Sequence, residues 1–182
     1  AHANDVGALL HDQLACDDAL GEVMRFAAGR DDTLVIVTTD HGNANPGLNG
    51  AGGSFDSRGG SYGDTQRCFE RLAAVQRTNA WALRELNAES GAAEIRDRVQ
   101  RACGLAILDD EVELLQRALR KHPAPREGYR VRNPAGITLG QIMANYTSIG
   151  WTGTQHTSDL VEVAAVGRGS EAVGGVMQNN EL

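Results

Sequence analysis

Apolar positions in this chain follow first one period and then another. Between residues 4 and 29, Val6, Leu9, Leu10, Leu14, Leu20, Val23 and Met24 recur at three- and four-residue steps, the spacing of one helix face. Asn4 or Asp5 can cap this helix and Gly29 can end it. "TLVIVTT", residues 33–39, is then an unbroken apolar and β-branched run, of the kind covered on both faces in a parallel sheet. Helix, short turn and buried strand form half of a βαβ pattern and predict an α/β fold. Residues 42–63 hold eight glycines and one proline and predict a long loop. The glycines match neither phosphate-cradle nor dinucleotide spacing, so the loop reads as a connector, with residues 48–62 exposed and poorly ordered.

Helical period returns after the loop. A helix is expected from Asp64 to about Asn87, with Cys68, Phe69, Leu72, Val75, Trp81, Leu83 and Leu86 apolar. Shorter helices fit "SGAAEIRDRVQRAC" and "DDEVELLQRALRKH", the second started by Asp109 or Asp110. "HPAPREGYRVRNPAG" carries three prolines and predicts irregular chain. A last helix fits about Thr138 to Ser148. A short strand, "LVEVAAV", and a helical turn in "SEAVGGVMQ" follow. The stretch 64–150 thus reads as a helical insertion in an α/β frame, its charged positions being solvated helix faces.

Composition narrows the function classes. Hydrophobic residues make up 41% and aromatics only 4%, which favours helix over an aromatic-rich sandwich. The net charge of −7 leaves no basic face for a nucleic-acid backbone, although a local metal cluster could still attract a small anion. No apolar run approaches the roughly 18 residues of a membrane span. The opening "AHANDVGALL" has no initiator Met and no leader-like pattern, so it reads as chain already inside a domain. Cys16, Cys68 and Cys103 show no CxxC spacing; Cys16 and Cys68, in helical patterns, are expected to be buried free thiols.

Candidate chemistry lies with the histidines. His11 and His122 read as surface residues. His2, His41 and His156 each sit where an element ends: before the first helix, after the apolar strand and before the last strand. Ligands of open α/β sheets gather at strand ends, where side chains converge from distant parts of the chain. Asp40 and His41, adjacent at such an end, offer the carboxylate oxygen and imidazole nitrogen that suit Zn²⁺. Spacing alone leaves a metal site and a plain surface turn both open.

Three ordered stretches carry a resemblance. "DTLVIVTTDHGNANPG", "GWTGTQHTSDLVEVAAVGRGSE" and the opening "HANDVGALLHDQLACDDALGEVMRFA" resemble the strand, the late histidine segment and the histidine-led helix of the alkaline phosphatase family. Together they cover about a third of the chain. The resemblance implies an α/β, mostly parallel sheet flanked by helices, of which residues 1–182 are the carboxy-terminal part. It implies phosphomonoester hydrolysis with two Zn²⁺ and a Mg²⁺. By the same resemblance, Asp40 and His41 belong to the zinc that holds the nucleophile and the bridging phosphate. His156 and His2 belong to the other zinc, which binds the leaving-group oxygen. Two cations about 4 Å apart clamp the attacking and leaving oxygens of an in-line displacement.

The departures are informative. The family's serine nucleophile, a zinc-ligand aspartate, the phosphate-binding arginine and the Mg²⁺ ligands match nothing in this chain and are expected upstream, so no catalytic residue is assigned. Ser57 follows an aspartate as the family serine does, but it comes after the Asp40–His41 strand and is followed by Arg58-Gly59-Gly60; it is set aside. Arg168 stands in a "GRG" where the family has "GPG". The expected substrate is a phosphate monoester, the expected compartment periplasmic or secreted, and a homodimer is compatible with the resemblance; no nucleic acid or membrane span is expected, and the isolated chain is expected to be inactive. Two alternatives stay open: another metallohydrolase of the superfamily, such as a phosphodiesterase, sulfatase or phosphoglycerate mutase relative, and a non-catalytic fragment.

Overall fold

The computed structural model describes residues 3–48, 63–120, 134–178 and 180–181. His2, Ser57, His122 and nearly all of the 48–62 loop lie outside the described residues. In chain order the described elements are α1 (Val6–Ala27), β1 (Leu34–Val37), β2 (Gly42–Asn43), β3 (Pro46–Leu48), α2 (Gly63–Ala73), α3 (Asn79–Leu83), α4 (Ala92–Cys103), α5 (Asp109–Leu119), α6 (Pro134–Thr147), β4 (Ile149–Trp151), β5 (His156–Thr157) and β6 (Ala164–Gly167). A 3₁₀ turn at Ser170–Ala172 follows. The chain divides into two compact units.

The first unit takes in Ala1–His11 and Asn43–Gln155. Its core is helical: Val6, Leu72, Ile95, Val99, Leu115 and Met143 are buried together. Asp5 starts α1 by accepting from the Ala8 N–H at 2.9 Å, satisfying one of the donors every helix start leaves open. The single helix expected over 64–87 is broken. Chain leaves α2 after Ala73, the Gln76 and Arg77 N–H groups both donate to the Ala102 carbonyl, and Thr78 Oγ1 caps α3 by accepting from Trp81 N. A tertiary acceptor won over local period. α4 stops where Gly104 turns left-handed at φ 69°. Pro134 opens α6 rather than joining the irregular stretch before it; proline is well suited to a first helical position. β3 and β4 form an antiparallel pair, with Gly47 opposite Gly150.

The second unit takes in Asp12–Gly42 and His156–Leu182. β1 pairs with β6, and the register Leu34↔Gly167 to Val37↔Ala164 is antiparallel. The α/β character expected from the sequence holds, yet the expectation of parallel neighbours for β1 is not met among the described residues. Direction of pairing is decided by how the chain returns, which an apolar run does not encode. Coverage differs too: Val35 alone is buried in β1, while Leu34 and Ile36 are about two-fifths exposed. The part of α1 in this unit likewise exposes Leu14 and Phe26, and Cys16 is an exposed free thiol rather than a buried one. Cys68 and Cys103 are buried free thiols.

Candidate metal centre

Antiparallel pairing is what assembles the histidines. In a parallel pair, the chain leaving β1 and the chain entering β6 would lie at opposite ends of the ladder. Here Val37 faces Ala164, so residues 38–41 and the approach to β6 share one end. Thr38 fastens that end by donating through Oγ1 to the Glu162 carbonyl at 3.1 Å. Three residues after Thr38, the His41 and His156 rings stack with centroids 3.6 Å apart and planes 20° apart. Residues separated by more than a hundred positions in sequence are thus brought together.

Hydrogen bonds define how His41 is presented. Its Nδ1 lies 2.9 Å from the Gly42 carbonyl oxygen. A carbonyl only accepts, so Nδ1 is the donor in this contact, the kind of outer partner that orients metal-binding histidines. Nε2 in turn lies 3.4 Å from Asp40 Oδ2. Tetrahedral zinc with ligands at about 2.0–2.1 Å sets neighbouring donor atoms about 3.3 Å apart, so the spacing suits one edge of such a site. Thr39 supports the turn, its Oγ1 lying 3.3 Å from the His41 carbonyl and 3.4 Å from Asp40 Oδ1. The Asp40 side chain is 79% exposed and that of His41 29%, so an ion and a substrate could reach both from solvent.

Of the four residues singled out from the sequence, Asp40, His41 and His156 come together, and His2 lies outside the described residues. Among the described residues no three His, Cys, Asp or Glu side chains converge on one point. A division of Asp40 and His41 to one ion and His156 to another requires no such trio from these residues. Thr38 and Thr39 were passed over in the sequence as part of the strand. They have no motif of their own, and only the return of the chain to Glu162 gives Thr38 its function.

The sequence model of a family described as Alkaline phosphatase matches residues 1–182. Among curated proteins, alkaline phosphatase 4 of Bacillus subtilis (strain 168) is 23% identical over 181 residues, covering 100% of this chain and 34% of that protein. Among solved structures, the Thermus thermophilus alkaline phosphatase superposes with a TM-score of 0.76 at 28% identity, covering 93% of this chain and 36% of that one. A cold-active alkaline phosphatase from a psychrophilic Shewanella species superposes with a TM-score of 0.66 at 19% identity, covering 99% of this chain and 39% of that one, which bears on the fold alone. The chain therefore spans about a third of the length of the relatives it matches.

Proposed function

Since the chain belongs to the alkaline phosphatase family, we propose that it is the carboxy-terminal part of a metal-dependent phosphomonoester hydrolase and supplies His2, Asp40, His41 and His156 as ligands of a two-zinc site. The observation that carries this reading is the meeting of Asp40, His41 and His156 at one end of the β1–β6 pair. Their donor set, carboxylate oxygen and imidazole nitrogen, fits Zn²⁺. Asp40 and His41 would hold one ion and His156, with His2, the other. When bound, such a pair supplies Lewis-acid stabilisation of the transferring phosphoryl group and a cationic point that attracts a phosphate dianion to a protein of net charge −7.

The chain's own residues have separable parts in this. The Gly42 carbonyl accepts from His41 Nδ1, which orients the ring with Nε2 beside Asp40. Thr38 and Thr39 fix the turn that aims Asp40. The nucleophile and the Mg²⁺ ligands belong, in this reading, to a segment preceding residue 1. A periplasmic or secreted location and a homodimer are the settings the family resemblance suggests. Among the described residues no helix is long and apolar enough to cross a membrane.

The test is hydrolysis of an aryl phosphate by the full-length polypeptide. His156→Ala should lower kcat/KM at least about a hundredfold, since loss of a direct ligand exceeds the 10–100-fold cost of losing an outer partner. Added Zn²⁺ should recover part of the loss. The 182-residue chain alone should show no turnover. Turnover by the isolated chain that His41→Ala abolishes would contradict the division of the site and return Ser57 to consideration.

A further inference from the structure

Four described residues without the freedom of glycine adopt left-handed backbone within the first unit: Ser148 at φ 57°, and, close in sequence to the histidines, Asn4 at φ 55°, Ala44 at φ 55° and Asn45 at φ 42°. Such conformations persist where the surroundings impose them, and they cluster at functional sites. Asn4 and Ala44 are both buried. Hydrogen bonds show what imposes them. The Ala44 carbonyl accepts from Thr152 N at 3.0 Å and Gly153 N at 3.1 Å, and Ala44 N donates to the Gln155 carbonyl at 2.9 Å. Asn4 joins this knot from a third stretch of chain, donating through Nδ2 to the Gly153 carbonyl at 2.9 Å. Its other side is closed by α6, where a Cβ on Gly140 would stand 2.3 Å from the Asn4 carbonyl oxygen.

The three stretches so joined are those that carry the histidines. Asn4 lies two residues after His2, Ala44 three after His41, and Gly153 and Gln155 three and one before His156. We propose that Asn4 is a positioning residue: its amide tie to Gly153, backed by Gly140, sets the register of the chain that leaves His41 and enters His156, the residues read above as metal ligands. Asparagine suits the role because it tolerates left-handed backbone while its short side chain still carries a donor. The proposal rests on the metal-site reading above.

The experiment measures Zn²⁺ affinity by chelator competition, kcat and KM for an aryl phosphate, and Tm, all in the full-length polypeptide. Asn4→Gly keeps the backbone freedom and removes the amide; Asn4→Asp keeps the shape and sets an acceptor against the Gly153 carbonyl. Both should weaken Zn²⁺ binding about tenfold or more and lower kcat more than they change KM, with excess Zn²⁺ restoring part of the rate. Gly140→Ala, which pushes on Asn4 without altering it, should move zinc affinity in the same direction and serves as the probe where an Asn4 variant fails to fold. Asn4 and Gly140 variants that lose Tm but keep the parent Zn²⁺ affinity and kcat, while His156→Ala loses both, would overturn the positioning role alone. Parent-like zinc binding and turnover in His156→Ala would overturn the metal-site reading and the proposal with it.

Discussion

Glu111 offers a clear energetic test of how the helical unit is held. Only 4% exposed, it anchors three donors: Oε2 accepts from the Tyr146 hydroxyl at 2.5 Å and from Leu108 N at 2.9 Å, and Oε1 accepts from Asn145 Nδ2 at 2.8 Å. One carboxylate thus caps the start of α5 and ties it to α6. Tyr146→Phe removes one hydrogen bond to a charged acceptor, a change worth about 1.5–3 kcal/mol. Glu111→Ala removes that bond, the cap at Leu108 N and a charge favourable to the helix start, so about 3–4 kcal/mol is expected. The double variant should cost less than the sum, with a coupling of about 1–2 kcal/mol, because both single changes break the same bond. As a contrast, Asp97→Ala breaks an exposed ion pair with Arg101 at 2.9 Å and should cost about 0.5 kcal/mol or less. Urea denaturation of the full-length polypeptide reads all four. Burial and the neighbouring Glu111 hold the Tyr146 hydroxyl above its ordinary value of 10.0. The bond is therefore fully present below pH 10 and weakens only as pH rises beyond it. A coupling below about 0.3 kcal/mol, within the scatter of independent sites, would refute the idea that Glu111 joins the two helices through Tyr146.

Two further outcomes follow from packing and burial. Burial, with Asp5 nearby, pushes the Cys103 thiol from 9.0 up to about 12. The unfolded chain releases this proton first, so stability should fall between pH 9 and 12 by up to about 4 kcal/mol, and Cys103→Ala should flatten that limb of a stability–pH curve. Gly7→Ala would set a Cβ 2.6 Å from Val75 Cγ1 and should cost about 1–3 kcal/mol, measured as a lower urea midpoint, with Val75→Ala in the same chain relieving part of it.

Local chemistry was legible in the sequence, and long-range geometry was not. The period of residues 4–29 and the run 33–39 led to α1 and β1, and α4 and α5 were found from their apolar spacing and from the acidic start at Asp109. The break after Ala73 was not legible, because the acceptor that causes it, the Ala102 carbonyl, lies on another helix. Nor was the partner of β1: an apolar run says that a strand wants neighbours, not which direction they take. That mattered for the site. Asp40, His41 and His156 are legible as candidates because each stands at an element end, but no pattern in the sequence shows that the strand before Asp40 and the strand after His156 run antiparallel. The antiparallel return through Thr38 and Glu162 brings them together. Asn4 was read only as an alternative cap. Asp5 takes the cap, and the burial and left-handed backbone of Asn4 emerge once Gly140 and Gly153 are seen beside it.

Asp40, His41 and His156 are the proposed zinc ligands of this chain. A crystal structure of the full-length polypeptide grown with Zn²⁺, with anomalous data collected on both sides of the zinc edge, tests that assignment most directly. Two zinc peaks about 4 Å apart are expected, one bonded at about 2.0–2.2 Å to Asp40 and His41 Nε2, the other to His156 and His2. Zinc peaks lying elsewhere, with the His41 and His156 rings still stacked on each other and bonded to no ion, would contradict it.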